Sequence, residues 1–177
     1  YNTSRDRDLY NVLFSSVLKS HERFYPAGSL AAGRLQEWYD DDNDYRKKVW
    51  AVDQENLYNQ KYRTIELDTR TNYTVPLVRM GEMYLIAAEC APTIDKAATW
   101  INTLRNHHNC FSAEVASDNL ANYLQMEYRK EFLGEGQMFF YMKRCALVNI
   151  PDGKKESGNI SMALGNYVLP LPDGETS

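Results

Sequence analysis

Three glutamates with helical spacing are the first candidates for chemistry in this sequence. Glu127, Glu131 and Glu135 recur at every fourth position, so a helix would place them on one face. Glycosidases use a pair of carboxyl groups about 5–10 Å apart for acid and base catalysis. The alternative, which we favour, is that these glutamates form ion pairs and pack against neighbouring helices. The basic residues within reach of them are Arg129, Lys130, Lys143 and Arg144.

An acidic run offers a second candidate, for cation binding. Asp40, Asp42 and Asp44 have the spacing of the first three ligands of an EF-hand calcium loop. Tyr45 stands where that loop requires glycine, and Ala51 where it requires glutamate, so an EF-hand is excluded. We interpret the run as a solvated acidic turn, with a looser cation site as the alternative.

A third group of residues has side chains of the types that bind metals. His107 and His108 are adjacent, so on a helix they point in different directions, and no second ligand cluster accompanies them and Cys110. We interpret this segment as the end of a helix followed by a loop. The sequence also lacks a C-x-x-C pair, a phosphate-binding loop and a serine-nucleophile motif. It therefore predicts no catalytic residue, no metal ligand and no cofactor.

The composition limits the classes of protein to consider. The chain has 177 residues, of which 44% are hydrophobic and 25% charged, as in an ordinary globular domain with one core. Its net charge of −4 argues against nucleic acid as a partner, because nucleic-acid binding requires a basic face. No apolar run approaches the roughly 20 residues that cross a bilayer.

The sequence divides into two parts at Pro76. Residues 1–75 are aromatic, polar and weakly periodic, which predicts a region of loops and short helices within the same domain. There we expect a helix over Leu30–Tyr39 and an edge strand over Gln60–Leu67. Residues 76–177 form the helical region, because apolar residues recur there with helical spacing.

The helical region is predicted to contain four helices. Pro92 ends the first helix and Thr93 caps the second. Because the turn between the two helices is so short, they form an αα-hairpin. The third helix spans Asp118–Leu133 and the fourth Gln137–Cys145. The residues predicted to form the buried stripe of the first helix are Leu77, Met80, Gly81, Tyr84, Ala87, Ala88 and Ala91.

These elements predict an all-α fold of tetratricopeptide-like helical hairpins, with long irregular loops and an extended C-terminal tail over Asn166–Leu171. One hairpin cannot bury its own apolar face, and stacked arrays need about three or more repeats. We therefore expect the chain to be one incomplete domain of a longer native protein that extends upstream of Tyr1.

Segments of the helical region resemble the signature of the RagB/SusD family. Val75–Ala91 (VPLVRMGEMYLIAAECA) is similar to the family pattern I-P-L-I-R-x-x-E-x-Y-L-I-x-A-E-A, and Ile101–Arg105 (INTLR) to L-N-x-[IV]-R. Glu127–Arg144 (EYRKEFLGEGQMFFYMKR) resembles E-R-x-x-E-L-x-x-E-G-x-R-F-x-D-L-x-R. Tyr167–Pro172 (YVLPLP), with Glu175, is similar to the closing pattern Y-x-L-P-I-P-x-x-E.

Two of the departures from the family pattern concern charged positions that form an ion pair. Met138 stands where the family has arginine, and Tyr141 where it has aspartate, so a local ion pair is replaced by packing. Before Pro76 the resemblance is limited mainly to Asp44-Tyr45-Arg46, which echoes a D-x-R motif.

The resemblance implies a role and a location. Proteins of this family are all-helical outer-membrane lipoproteins of Bacteroidetes that bind glycans at the cell surface, and they are not enzymes. They pass oligosaccharides to a SusC-like TonB-dependent transporter. The expected partners are thus an oligosaccharide or polysaccharide and that transporter, with membrane association through an N-terminal lipid anchor outside this chain. The alternative is a tetratricopeptide-like protein-interaction scaffold without sugar binding.

Aromatic side chains before Pro76 are the candidates for glycan binding. A pyranose ring presents an apolar C–H face that packs on a flat aromatic ring, whose N–H or O–H group serves the sugar hydroxyls. We expect such rings to stay exposed near the acidic turn, whereas Trp100, on a hairpin helix, contributes to stability. The alternative for each ring is packing in the core. The predicted glycan-binding residues are Trp38, Tyr39, Trp50 and Tyr58.

Overall fold

The computed structural model describes residues 33–53, 56–61, 76–153, 155 and 157–168. The predicted start of the first helix at Leu30, the predicted strand beyond Lys61 and the tail beyond Val168 lie outside these residues. The α-helices of the described part are α1 (Gly33–Trp38), α2 (Met80–Glu89), α3 (Ile94–His107), α4 (Leu120–Glu131) and α5 (Gln137–Arg144). The short strands are β1 (Trp50–Asp53), β2 (Asn56–Asn59), β3 (Asn149–Pro151) and β4 (Asn159–Ser161), and 3-10 helices span Tyr45–Val49 and Leu164–Tyr167.

The first two helices of the helical region form the predicted pair. Thr93 precedes α3 and its hydroxyl accepts a hydrogen bond from the backbone N–H of Lys96, at 3.4 Å, so the predicted cap is confirmed. Tyr84 of α2 lies against Trp100 and His107 of α3, with ring centroids 5.9 Å and 6.2 Å apart. The two helices therefore pack side by side.

The third and fourth predicted helices are also present. The turn between α4 and α5 contains Gly134 and Gly136, with φ angles of 75° and 72°. Glycine adopts this left-handed conformation without steric cost, which explains why α4 ends there and α5 restarts directly afterwards.

The main core lies where α2, α3, α4 and α5 meet. Tyr128 of α4 is at its centre, with its ring centroid 4.5 Å from that of Tyr141 and 5.8 Å from that of Phe132. Burial of this many apolar side chains is the main source of stability for the helical region. The buried members of this core are Leu85, Ala88, Ile101, Leu104, Leu124, Tyr128, Phe132 and Tyr141.

The predicted buried stripe of the first helix is wrong in part. Leu77 and Met80 are 87% and 66% exposed, whereas Leu85 is 0% exposed. The reason is that the helix begins only at Met80 and turns the line Gly81, Leu85 and Ala88 toward the core. Met80, Met83 and Ile86 of α2 consequently face solvent.

Two further residues of the hairpin are partly or largely exposed. Trp100 is 39% exposed but lies against the ring of Tyr84, so its contribution to stability stays a prediction. Cys90, directly after α2, is exposed.

The fold is mostly helical, as predicted, with two small antiparallel sheets added. In one sheet Trp50 of β1 pairs with Asn59 of β2, and in the other Asn149 of β3 pairs with Ser161 of β4. Asn166 and Tyr167, predicted to start an extended tail, belong instead to a 3-10 helix, and the Tyr167 hydroxyl donates to the carbonyl oxygen of Leu147 at 2.7 Å. The tetratricopeptide-like organisation and the division into parts at Pro76 stay predictions. None of the helices in the described ranges has the length and apolarity to cross a membrane.

Candidate functional site

A second, smaller core supports the acidic turn and contains two of the predicted glycan-binding residues. Tyr39 and Trp50 pack with Leu35 and Leu133 and are only 1% and 5% exposed. The Trp50 Nε1–H donates to the Tyr39 hydroxyl at 3.4 Å, and burial raises the pKa of Tyr39 to about 12. The expectation that these two rings stay exposed is wrong, because they fill the space beneath the turn.

The other two predicted residues are placed differently. Trp38 is half-buried, and the guanidinium of Arg129 lies 5.4 Å from the centre of its ring. Tyr58 pairs with Ala51 in the β1–β2 sheet, and its side chain lies outside what the structure describes. Glycan binding by all four predicted residues stays a prediction.

The acidic turn Asp40–Asp44 is built into the protein and is not the solvated loop that we expected. Asp41 is buried, and its carboxylate accepts hydrogen bonds from the backbone N–H of Asn43 at 2.8 Å and of Phe111 at 2.7 Å. These two backbone hydrogen bonds lower the pKa of Asp41. The turn is thereby attached to the loop that follows α3.

A buried charge network lies beneath the turn. The Glu127 carboxylate, 0% exposed, is 2.7 Å from Arg46, 2.9 Å from Arg105 and 3.0 Å from Lys130. Arg46 also contacts Asp44 at 2.8 Å. The members of this network, which joins the turn to α3 and α4, are Asp40, Asp44, Arg46, Arg105, Glu127 and Lys130.

The network keeps its carboxyl groups ionised. Burial by itself would raise the pKa of Glu127, but the positive charges of Arg46 and Lys130 outweigh burial and lower it. Burial would also raise the pKa of Glu131, but a hydrogen bond from His108 outweighs burial and lowers it. The Nε2 atom of His108 is 3.2 Å from the carboxylate. A glycosidase acid needs a raised pKa. The ion-paired interpretation of these glutamates therefore agrees with the structure.

The partners of the helical glutamates are mostly not those adjacent in sequence. Of the predicted basic partners, Lys130 contacts Glu127. Glu135 is instead 2.6 Å from both Lys61 and Arg79, which come from other parts of the chain.

A polar cleft lies between the acidic turn and the loop after α3. It has a volume of about 280 Å³ and is open to solvent, and we call it the amide cleft. Two backbone-directed hydrogen bonds join its walls: the Tyr45 N–H donates to the carbonyl oxygen of His108 at 2.9 Å, and the Asn109 amide donates to that of Asn43 at 3.3 Å. Its lining residues are Asn43, Asn106, Asn109, Cys110 and Phe111.

Phe111 presents an exposed ring on a firmly held backbone. Its N–H donates to Asp41, and its carbonyl oxygen accepts from Arg105 Nε at 3.1 Å, yet the residue is 73% exposed. Beside it, burial and the charge of Asp44 raise the pKa of Cys110 to about 12, so its thiol is neutral and unreactive. Cys110 is therefore not a candidate nucleophile in this cleft.

A second cleft of about 280 Å³ lies between α2 and α5 and is mainly apolar. Ile86, Met138 and the 63% exposed Phe140 line it, and an ion pair between Glu89 and Arg144 lies at its edge. Across the described residues, no group of three or more His, Cys, Asp or Glu side chains is arranged to hold a metal ion.

Gly81 supplies a test of how firmly Glu131 is held. A methyl group at Gly81 would lie 2.6 Å from the Glu131 carboxyl carbon, a distance that requires movement. Gly81→Ala is therefore expected to lower the free energy of unfolding by about 1–3 kcal/mol, although glycine to alanine in a helix usually raises it. Urea unfolding of a double-mutant cycle with Glu131→Ala checks the cause. An equal cost of Gly81→Ala in both backgrounds would contradict this explanation.

Comparison with known proteins identifies the family. A sequence profile of the SusD family matches residues 13–167, which is most of the 177-residue chain. The chain belongs to the SusD family. No curated protein and no solved structure matches it. The resemblance read from the signature segments is thus confirmed, and the SusD match also extends into the region before Pro76.

In this chain Asp44 and Arg46, the two ends of the D-x-R segment, contact residues of the SusD signature segments. Asp44 and Arg46 belong to the buried charge network, together with Arg105 and Glu127 from two of the signature segments. Sequence reasoning missed the amide cleft, because Asn106, Asn109 and Phe111 belong to no signature segment. The signal that could have indicated them is a phenylalanine among asparagines in a loop between two predicted helices.

Proposed function

We propose that this protein captures oligosaccharides at the surface of the bacterial outer membrane and passes them to a SusC-like TonB-dependent transporter. The observation that carries the proposal is the match to the SusD family over residues 13–167. The family suggests carbohydrate binding for nutrient uptake, and its members are binding proteins and not enzymes. Anchoring as a surface lipoprotein belongs to the same proposal.

The chemistry of the described residues supports binding over catalysis. Glu127 and Glu131 are held as carboxylates by cationic neighbours, so neither is suited to donate a proton to a glycosidic oxygen. The Cys110 thiol is kept neutral by burial. The amide cleft offers neutral hydrogen-bonding groups beside an exposed aromatic ring.

The experiment is a comparison of binding and hydrolysis with the same sugars. Calorimetry with maltohexaose, cellohexaose, xylohexaose and mannohexaose should show binding of at least one of them. Prolonged incubation with the bound sugar should release no new reducing ends. Release of reducing ends would contradict a pure binding function, and failure to bind any glycan in this panel or a broader array would contradict the proposal as a whole.

A further inference from the structure

The amide cleft contains hydrogen-bonding groups that the described part of the protein leaves unused. The Asn43 amide nitrogen donates to Asp41, the Asn109 amide nitrogen donates to a backbone carbonyl, and the Asn106 amide oxygen accepts from Ser112. The other side-chain atom of each amide has no hydrogen-bond partner among the described residues. These atoms are the Oδ1 oxygens of Asn43 and Asn109 and the Nδ2 nitrogen of Asn106. The cleft therefore presents both acceptors and a donor to solvent.

These groups are held in place before a ligand arrives. Asn109 has a φ of 65°, the left-handed conformation that asparagine tolerates better than most residues, and its amide bridges to the acidic turn. Asp41 and Arg105, both buried, hold the backbone of Phe111 from two sides. Preorganised groups lose little conformational entropy on binding, which raises affinity.

The exposed ring of Phe111 adds an apolar surface to the hydrogen-bonding groups of the cleft. An aromatic face packs on the apolar C–H face of a pyranose, while amides donate to and accept from its hydroxyls. None of the described residues that line the cleft is charged, so this lining offers no ion pair to an acidic sugar. A volume of about 280 Å³ is at the lower limit for small-molecule sites, so the cleft holds a short piece of a longer chain.

We propose that the amide cleft, with Asn43, Asn106, Asn109 and Phe111, is a binding subsite for a neutral oligosaccharide. This inference rests on the proposed glycan-binding function and assigns that function to residues outside the family signature. In the subsite Phe111 stacks on one sugar ring, and the asparagines bind its hydroxyl groups. Uncharged hexose and pentose chains bind there in preference to uronic acids.

The first test compares two exposed phenylalanines. Phe111→Ala should weaken calorimetric binding of whichever neutral hexasaccharide the wild-type protein binds best, by about fivefold. Phe140→Ala is the matched control, because Phe140 is 63% exposed and lines the apolar cleft instead. It should leave the affinity unchanged. Trigalacturonic acid should bind more weakly than the neutral sugar.

The second test uses the asparagines. Asn109→Gly removes the amide, and with it the hydrogen bond to Asn43, while keeping a residue that adopts positive φ without strain. The variant should therefore lose affinity several-fold with at most a small drop in melting temperature. In a ¹H–¹⁵N spectrum of the wild-type protein, the side-chain amide signal of Asn106 should shift on addition of the same hexasaccharide. A merely structural role of the loop would not move that signal.

The outcomes separate the two proposals. Wild-type affinity in both Phe111→Ala and Asn109→Gly, with binding by the wild-type protein intact, overturns the subsite and leaves the glycan-binding function standing. Equal loss in Phe111→Ala and Phe140→Ala also overturns the subsite. Binding to no glycan at all contradicts the function itself, and the subsite with it.

Discussion

Replacing Arg46 with alanine is expected to lower the free energy of unfolding by about 3–5 kcal/mol, because it leaves buried carboxylates without a main partner. Arg46 is 7% exposed, and its guanidinium lies 2.8 Å from Asp44 and 2.7 Å from Glu127. Without Arg46, Glu127 keeps its contacts with Arg105 and Lys130, but Asp44 keeps one ion-pair partner among the described residues, Lys130, at 3.7 Å. Urea unfolding followed by circular dichroism measures the effect.

Lys47 supplies the matched control for Arg46. It is the next residue in the same 3-10 helix and also pairs with the acidic turn, 2.6 Å from Asp42, but that carboxylate is 90% exposed. Surface ion pairs contribute about 0–1 kcal/mol, so Lys47→Ala should change stability by no more than that. Similar losses for both variants would show that burial of the network is not what makes Arg46 important.

Acid is expected to remove a large part of the stability through the same network. The pKa values of Asp40, Asp44 and Glu127 are all lowered in the folded protein by their cationic neighbours, against the opposing effect of burial. The folded state thus binds protons less readily than the unfolded state. The contribution of these three carboxyl groups to the free energy of unfolding is fully present above their ordinary pKa values of about 4. It is lost as the pH falls through their lower pKa values in the folded state.

The measurement is a set of urea unfolding curves between pH 7 and pH 3. Asp44→Asn should be clearly less stable than the wild type at pH 7. The difference should narrow as the pH falls below about 4, because the unfolded wild-type chain then binds a proton at Asp44 more readily than the folded state, in which the pKa of Asp44 is lowered. Asp42→Asn removes the same charge from an exposed side chain and should cost little throughout. A stability difference between Asp44→Asn and the wild type that stays constant with pH would contradict the expected link between the ionisation of Asp44 and stability.

The helices of the second half could be predicted because their signals are local. Thr93 caps α3, and the Gly134–Gly136 turn separates α4 from α5, as the spacing of these residues indicates. The boundaries of α2 were less accessible, because the apolar run around Met80 fits more than one buried stripe. Which stripe is buried depends on the neighbouring helices and not on α2 alone.

The charge network could not be derived from sequence spacing. Arg46 and Glu127 are 81 positions apart in the chain yet lie 2.7 Å apart in the fold. Glu127, Glu131 and Glu135 could be assigned to ion pairs in general terms, but most of their partners come from elsewhere in the chain. Residue type indicates that a buried carboxylate needs a cation, and only the fold determines which cation it finds.

The exposure of the candidate aromatic side chains also could not be predicted from the sequence. A tryptophan or tyrosine in an irregular segment is equally consistent with an exposed ring and with a small separate core, and the structure places Tyr39 and Trp50 in such a core. Phe111, by contrast, is exposed although its backbone is firmly bound. Exposure depends on what covers each ring, which sequence type alone does not specify.

The loop after α3 separates the side chains that support it from those that face solvent. Asp41 and Arg105 hold the backbone of Phe111, and the Asn109 amide adds a hydrogen bond to Asn43, whereas the side chains of Phe111 and of Asn106, near the end of α3, are exposed. Substitutions of Phe111 and Asn106 therefore change little of what keeps the protein folded. Because different residues support the loop and line the cleft, the lining can diversify through point mutations in evolution while the supporting residues stay unchanged.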